Sequence, residues 1–191
     1  MQNSSINIAV LASTVRQQRR SIHAARFVSS IGESLDEVNI RFVDPGDFHF
    51  PGDGNDPEGK DPRYTEITVW ADAFFIVTPE YNHSFPGTLK RMIDSELKNY
   101  THKPVAIAGV SDGNWGGTRA VEALLAPLRT MGFVATFSNL YFPRGQDLFD
   151  ENGEYLGDYH QKAVRDAYNE LIWMARVLKH GRENLPNKYH Q

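Results

Sequence analysis

Three short stretches of this chain group residue types that could hold a ligand. The first, residues 11–21, reads LASTVRQQRRS. Ser13, Thr14 and Ser21 offer hydroxyls, and Arg16, Arg19 and Arg20 offer guanidinium groups where a helix begins. Hydroxyls, arginines and the free N–H groups of a helix start make an anion site. The same residues also fit a solvated basic turn with a Ser or Thr cap. The loop matches neither GxGxxG nor GxxxxGK[ST], which gives dinucleotide and nucleoside-triphosphate loops little support.

The second stretch, residues 78–90, reads TPEYNHSFPGTLK and follows the apolar run ADAFFIV without a break. Pro79 is expected to stop the strand's ladder. Glu80, Tyr81 and Asn82 then offer backbone and side-chain groups at the rim of a sheet. A flat heterocycle with an imide edge needs both donors and acceptors of that kind. A plain strand-to-helix turn, with Ser84 near the cap, explains Pro86 but not the polar residues ahead of it. The third stretch, residues 109–120, reads GVSDGNWGGTRA. Gly109, Gly113, Gly116 and Gly117 flank Ser111, Asp112, Asn114 and Trp115. Glycine lets backbone approach a ligand closely, and a tryptophan can wall a planar ring.

These stretches need strands to hold them on one edge. Residues 6–11, 73–77, 105–110 and 133–137 are apolar runs, three of them nearly continuous, as in strands buried on both faces. Residues 38–43 alternate and suit a strand nearer an edge. Helical stripes separate the runs: 20–32, with Gly32 as its stop; the segment after Pro86, with Leu89, Met92 and Ile93; 121–131, where Pro127 predicts a kink or an early end and Gly132 a stop; and 158–179, with Ala163, Ala167, Leu171, Met174 and Leu178 on one face. Strands alternating with helices predict an α/β fold with an open parallel sheet covered on both faces. Five strands in a single domain of 191 residues favour a flavodoxin-like arrangement. In such sheets ligands bind at the carboxyl ends of the strands, where all three stretches fall.

Residues 44–64, rich in Pro, Gly and Asp, read as a long loop. Asp53, Asn55 and Asp56 suggest a calcium loop, but Pro57 stands at a ligand position and Glu58 where the turn requires glycine. The histidines show no ligand spacing, so no metal site is expected. Trp70, Trp115 and Trp173 read as packing residues, Trp115 also as a wall of the site. With 20 basic and 24 acidic residues the charge of −4 is too balanced to suggest a nucleic-acid or membrane-surface binder. There is no cysteine, hence no disulfide and no thiolate chemistry. The first residues carry no signal-peptide pattern and no run approaches a membrane span. The expectation is a soluble cytoplasmic protein.

The motif PEYNHSFPGTLKRMID closely resembles the signature of the NAD(P)H-dependent FMN reductases. ASTVRQQRRS resembles that family's phosphate loop, with Ala12 in place of a glycine and Val15 as an insertion, and SDGNWGG resembles its third flavin loop. A weaker echo lies in LFDENGEYLGD. The resemblance implies a flavodoxin-like fold, a homodimer or higher homo-oligomer, and FMN at the subunit interface. It implies that Ser13, Arg16 and Ser21 hold the phosphate, that Pro79, Glu80, Tyr81 and Asn82 hold the isoalloxazine, and that Ser111, Gly113, Asn114, Gly116 and Gly117 close the site. The implied activity passes hydride from NADPH or NADH through FMN to a small acceptor (a quinone, azo compound, free flavin or metal ion) by a ping-pong mechanism. No side chain need act as acid or base, so no catalytic residue is expected. Arg19 or Arg20 is placed to meet a 2′-phosphate. The alternatives are a flavodoxin-type electron carrier and a flavin-free binding domain. The apolar stripe of Leu89, Met92, Ile93 and Leu97, with that of residues 121–131, is expected to exceed what one sheet face covers and so to favour a homodimer.

Overall fold

The computed structural model describes residues 5–50 and 60–190. Five parallel strands are formed by the apolar runs: β1 (Ile6–Ala12), β2 (Val38–Val43), β3 (Ala73–Pro79), β4 (Pro104–Val110) and β5 (Val134–Ala135), in the order β2-β1-β3-β4-β5. This is the doubly wound order expected of the flavodoxin-like arrangement. Side chains alternate between two cores, as the pleat requires. Ile8, Val10, Phe75, Val77, Ala106 and Ala108 face one side. Ala9, Leu11, Phe74, Ile76, Val105 and Ile107 face the other. Burial on both faces explains why these runs are continuously apolar.

Helices α1 (Ser21–Glu33) and α6 (Tyr159–Asn184) cover the first side. Helices α2 (Pro62–Trp70), α3 (Gly87–Asp94) and α4 (Thr118–Thr130) cover the second. Helix α2 is the main departure from the expected loop at 44–64: Asp61 caps it, its carboxylate accepting the Arg63 N–H at 3.0 Å, and Pro62 opens its first turn. The proposed calcium ligands Asp53, Asn55 and Asp56 lie outside the described residues. The fifth position of the sheet is also not one strand. β5 pairs with β4 at Pro104 and Val105, and a sixth strand, β6 (Leu140–Phe142), pairs with β4 at 108–110. A short helix, α5 (Gly145–Leu148), follows it.

Gly32 does not stop α1; it lies within the helix, and a Cβ there would come 2.5 Å from the Tyr168 hydroxyl. The glycine admits Tyr168, which donates to the Val28 carbonyl at 3.0 Å. Pro127 does not end α4, which runs on to Thr130 and closes at Gly132, φ 88°. There the Gly132 and Phe133 N–H groups return to the carbonyls of Arg129 and Leu128, the paired bonds of a Schellman end. The buried face of α6 is His160, Val164, Ala167, Tyr168, Leu171, Ile172 and Ala175, rotated from the expected stripe. Leu89, Met92 and Ile93 are fully buried against the sheet, and only Leu97 of that stripe is exposed. The stripe therefore supplies no argument for a second subunit. Trp115 and Trp173 are exposed rather than packed. Among the described residues no helix is long and apolar enough to cross a membrane, and no acidic or histidine cluster could hold a metal.

Candidate functional site

The carboxyl ends of β1, β3 and β4 hold the three stretches against one another. A cleft of about 260 Å³ is lined by residues 16–21, by Pro79, Glu80 and Tyr81, and by Val110, Ser111 and Asp112. A second cleft of about 700 Å³ shares residues 16–20 and is closed by Gly145, Gln146 and Phe149.

In the first loop Thr14 is buried and its hydroxyl meets the Tyr81 hydroxyl at 3.0 Å, joining this loop to the second. Arg16 is exposed, its guanidinium 5.8 Å from the Tyr81 ring centroid. Arg19 is committed elsewhere: it bonds the Asp44 carboxylate and the Thr14 carbonyl. That clamp ties the loop to the end of β2. Arg20 is the N-cap of α1, and no side chain caps this helix. The orphan N–H groups and the positive end of the helix dipole therefore face the cleft beside Ser21.

Ser13 is buried outside the cleft lining, and its Oγ donates to the Val77 carbonyl at 2.7 Å. That bond uses the proton an anion would need.

The second loop differs from expectation at Pro79. β3 continues through it, with Pro79 opposite Val110, and the Glu80 N–H still donates to the Val110 carbonyl at 3.1 Å. Successive residues of a strand bond to opposite neighbours, so the missing proline N–H faces β1, whose pairing with β3 ends at Ala12 opposite Val77. The proline ends pairing on that side alone. Tyr81 and Ser84 exchange backbone bonds of 2.8 and 3.0 Å across Asn82 and His83, which have φ of 50° and 66°. Two left-handed residues make a tight I′-type turn. Asn82 sits at its exposed tip, away from the cleft lining. The Glu80 side chain is not free for a ligand: Arg119 Nε donates to Oε1 at 2.7 Å, and the Arg119 N–H to Oε2 at 3.2 Å.

In the third loop Ser111 lines the cleft and its hydroxyl donates to the Gly113 carbonyl at 3.0 Å. Gly113 and Asn114 are exposed beyond it. Gly116 and Gly117 are buried with φ of 61° and 83°. A Cβ on Gly116 would meet Tyr141 at 2.7 Å, and one on Gly117 would meet Val110 at 2.6 Å. These glycines seat the loop on β4 and β6. The close approach they permit is to protein backbone.

Of the twelve site residues drawn from the sequence, the cleft thus gathers Arg16, Ser21, Pro79, Glu80, Tyr81 and Ser111. It adds Gln17 and Gln18, which lie in the first stretch but were given no role, and Arg119 behind it. Arg119 lies 39 residues from Glu80, and nothing local in the sequence signals that pairing. At the second cleft the loop after α5 is pinned by His160, whose ring stacks on Phe142 and meets the Tyr155 hydroxyl at 2.6 Å and the Tyr141 carbonyl at 3.1 Å. Burial lowers the His160 pKa.

The chain is 30% identical to a quinone reductase of Pseudomonas putida over 159 residues, covering 78% of this chain and 83% of that one. It is 26% identical to a 2-hydroxy-1,4-benzoquinone reductase of a Burkholderia species, covering 90% and 99%. In fold it is similar to the NAD(P)H:acceptor oxidoreductase FerB of Paracoccus denitrificans, with a TM-score of 0.72 at 20% identity over 90% of this chain and 98% of that one. The flavodoxin of Pseudomonas aeruginosa superposes with a TM-score of 0.54 at 14% identity, over 91% and 99%. The family model described as NADPH-dependent FMN reductase matches residues 6–147, spanning all three loops of the cleft, and the chain belongs to that family of oxidoreductases.

Proposed function

We propose that the chain is one domain that uses NAD(P)H, with FMN as its prosthetic group, to reduce a small acceptor by a ping-pong mechanism. Quinones and azo compounds head the acceptor classes, ahead of free flavin and metal ions. The observation that carries the reading is the single cleft into which three loops converge. The residues present fit FMN. Its phosphate dianion suits the uncapped start of α1 with Arg16, Arg20 and Ser21 around it. Its flat ring suits the strand ends at 79–81 and 110–112.

When bound, FMN supplies two-electron hydride chemistry, and the protein supplies orientation and electrostatics. The chain's own part is to hold the phosphate with charge-assisted bonds, to fix the ring's edge with backbone groups, and to leave one face open. Because one open face serves donor and acceptor in turn, initial-rate lines at several quinone concentrations are expected to be parallel; converging lines contradict the mechanism. The names of relatives support the acceptor classes: a quinone reductase, a 2-hydroxy-1,4-benzoquinone reductase and an NADPH azoreductase. NADPH oxidation with a quinone and no partner protein separates this reading from a flavodoxin-type carrier. We also propose a cytoplasmic homodimer. Trp115, in the third loop, and Val15, in the first, are large apolar side chains left exposed at this end of the sheet. Light scattering is expected to give a mass above the 21.6 kDa of one chain.

A further inference from the structure

Glu80 and Arg119 form a charge pair behind the cleft. Glu80 lines the cleft, yet its carboxylate is only 7% exposed. Oε1 accepts from Arg119 Nε at 2.7 Å and lies 2.6 Å from Arg119 Nη2. Oε2 accepts the Arg119 backbone N–H at 3.2 Å. The third guanidinium nitrogen, Nη1, lies 2.7 Å from His83 Nε2. Helix α4 begins at Gly117, which has no side chain to cap it. Glu80 takes the place of that cap from the end of the neighbouring strand β3, joining the second loop to the third.

We propose that this pair sets the charge felt at the ring edge of the cleft and so tunes the reduction potential of bound FMN, with Arg119 as a positioning residue. The inference rests on FMN occupying the cleft. Reduction adds electron density to the flavin ring, and a nearby uncompensated carboxylate opposes it. Arg119 cancels the Glu80 charge, and His83 fixes the guanidinium fork in the plane that allows it. Removing Arg119 leaves a bare anion beside the ring. Removing the Glu80 charge leaves a bare cation. The two changes therefore act in opposite directions on the potential, although both weaken the same clamp.

The test is a redox titration of the FMN-loaded protein as wild type, Arg119→Gln, Glu80→Gln and the double variant. Arg119→Gln is expected to lower the preference for reduced over oxidised FMN by about tenfold, which a two-electron couple reads as about 30 mV more negative. Glu80→Gln is expected to move the potential the other way, and the double variant to return close to wild type. Shifts of the same sign in both single variants, or no shift in either, overturn the proposal. Thermal unfolding of the four apoproteins measures the clamp without flavin. A coupling between the two sites there, with a wild type that takes up no FMN, refutes the reading of the cleft and the tuning together while leaving the clamp itself in place. No coupling refutes the clamp.

Discussion

The two ends of the sheet are built to opposite rules. At the amino ends of β1, β3 and β4 the charged side chains among the described residues pair with one another and with backbone carbonyls. Asp72 accepts the Asn7 N–H at 3.1 Å and the Lys179 ammonium at 2.9 Å, and Arg182 stands 3.5 Å from its second oxygen. Arg182 also donates to the His102 carbonyl at 2.7 Å. Lys103 is buried and donates to the Thr68 carbonyl at 2.7 Å, at the end of α2. At the carboxyl ends the chain does the reverse. Helix α1 starts uncapped, and Arg16 and Arg20 stay exposed. The first edge pairs its charges, whereas the second pairs Arg19 with Asp44 and Glu80 with Arg119 but leaves Arg16 and Arg20 exposed. Substitutions at the first should change unfolding and spare flavin binding. At the second, outside the Arg19–Asp44 and Glu80–Arg119 pairs, they should do the opposite.

Asp72→Ala breaks the closed edge most severely. It leaves Lys179 and the largely buried Arg182 without their carboxylate. Orphaning buried charge costs about 3–5 kcal/mol. Chemical denaturation is expected to show that loss, with an FMN affinity close to wild type. A large loss of FMN affinity at unchanged stability contradicts the division of labour.

Lys103 sharpens the same contrast through pH. Burial, helped by the repulsion of Arg182 and Lys179, lowers its pKa from 10.5 to about 8 against the pull of Asp72. Between those values the unfolded chain holds a proton that the folded chain has released, so stability rises with pH across that window. Relative to Lys103→Met, the wild type is expected to gain on the order of 3 kcal/mol from pH 8 to 10.5. The buried tyrosines Tyr64, Tyr100 and Tyr168, whose pKa values are raised chiefly by burial, act in the opposite sense at high pH. They are common to both proteins and drop out of the difference. A difference that stays flat with pH shows Lys103 to be solvated.

How much of this was legible in the sequence follows from where the determinants lie. The strands showed as continuous apolar runs because both faces are buried, and the three loops showed because their polar residues end those runs. Helix α2 did not show, because its first turn is embedded in a Pro- and Asp-rich segment and its apolar stripe is short. The split of β5 and β6 was hidden because 133–137 is apolar whichever way it pairs; Phe137 in fact points to solvent. Within the site the glycines were visible and their purpose was not. Gly116 and Gly117 avoid clashes with Tyr141 and Val110, contacts set by strand packing. The Thr14–Tyr81 and Glu80–Arg119 pairs span 67 and 39 residues, and no local pattern encodes them. The bond from the Ser13 hydroxyl to the Val77 carbonyl, 64 residues away, was likewise beyond any local motif.

The central claim is that the open end of the sheet binds the phosphate of FMN. The measurement that tests it most directly is titration of wild-type and Arg16→Ala apoproteins with FMN and with riboflavin, which has the same ring and no phosphate. Arg16 is exposed and its side chain makes no ion pair among the described residues, so the fold should not notice its removal. A charge-assisted bond is worth about 1.5–3 kcal/mol, so Arg16→Ala should weaken FMN binding about ten- to a hundred-fold and leave riboflavin binding unchanged. Equal losses for both flavins would make Arg16 a support for the Tyr81 ring. A wild type that binds neither flavin would contradict the account outright.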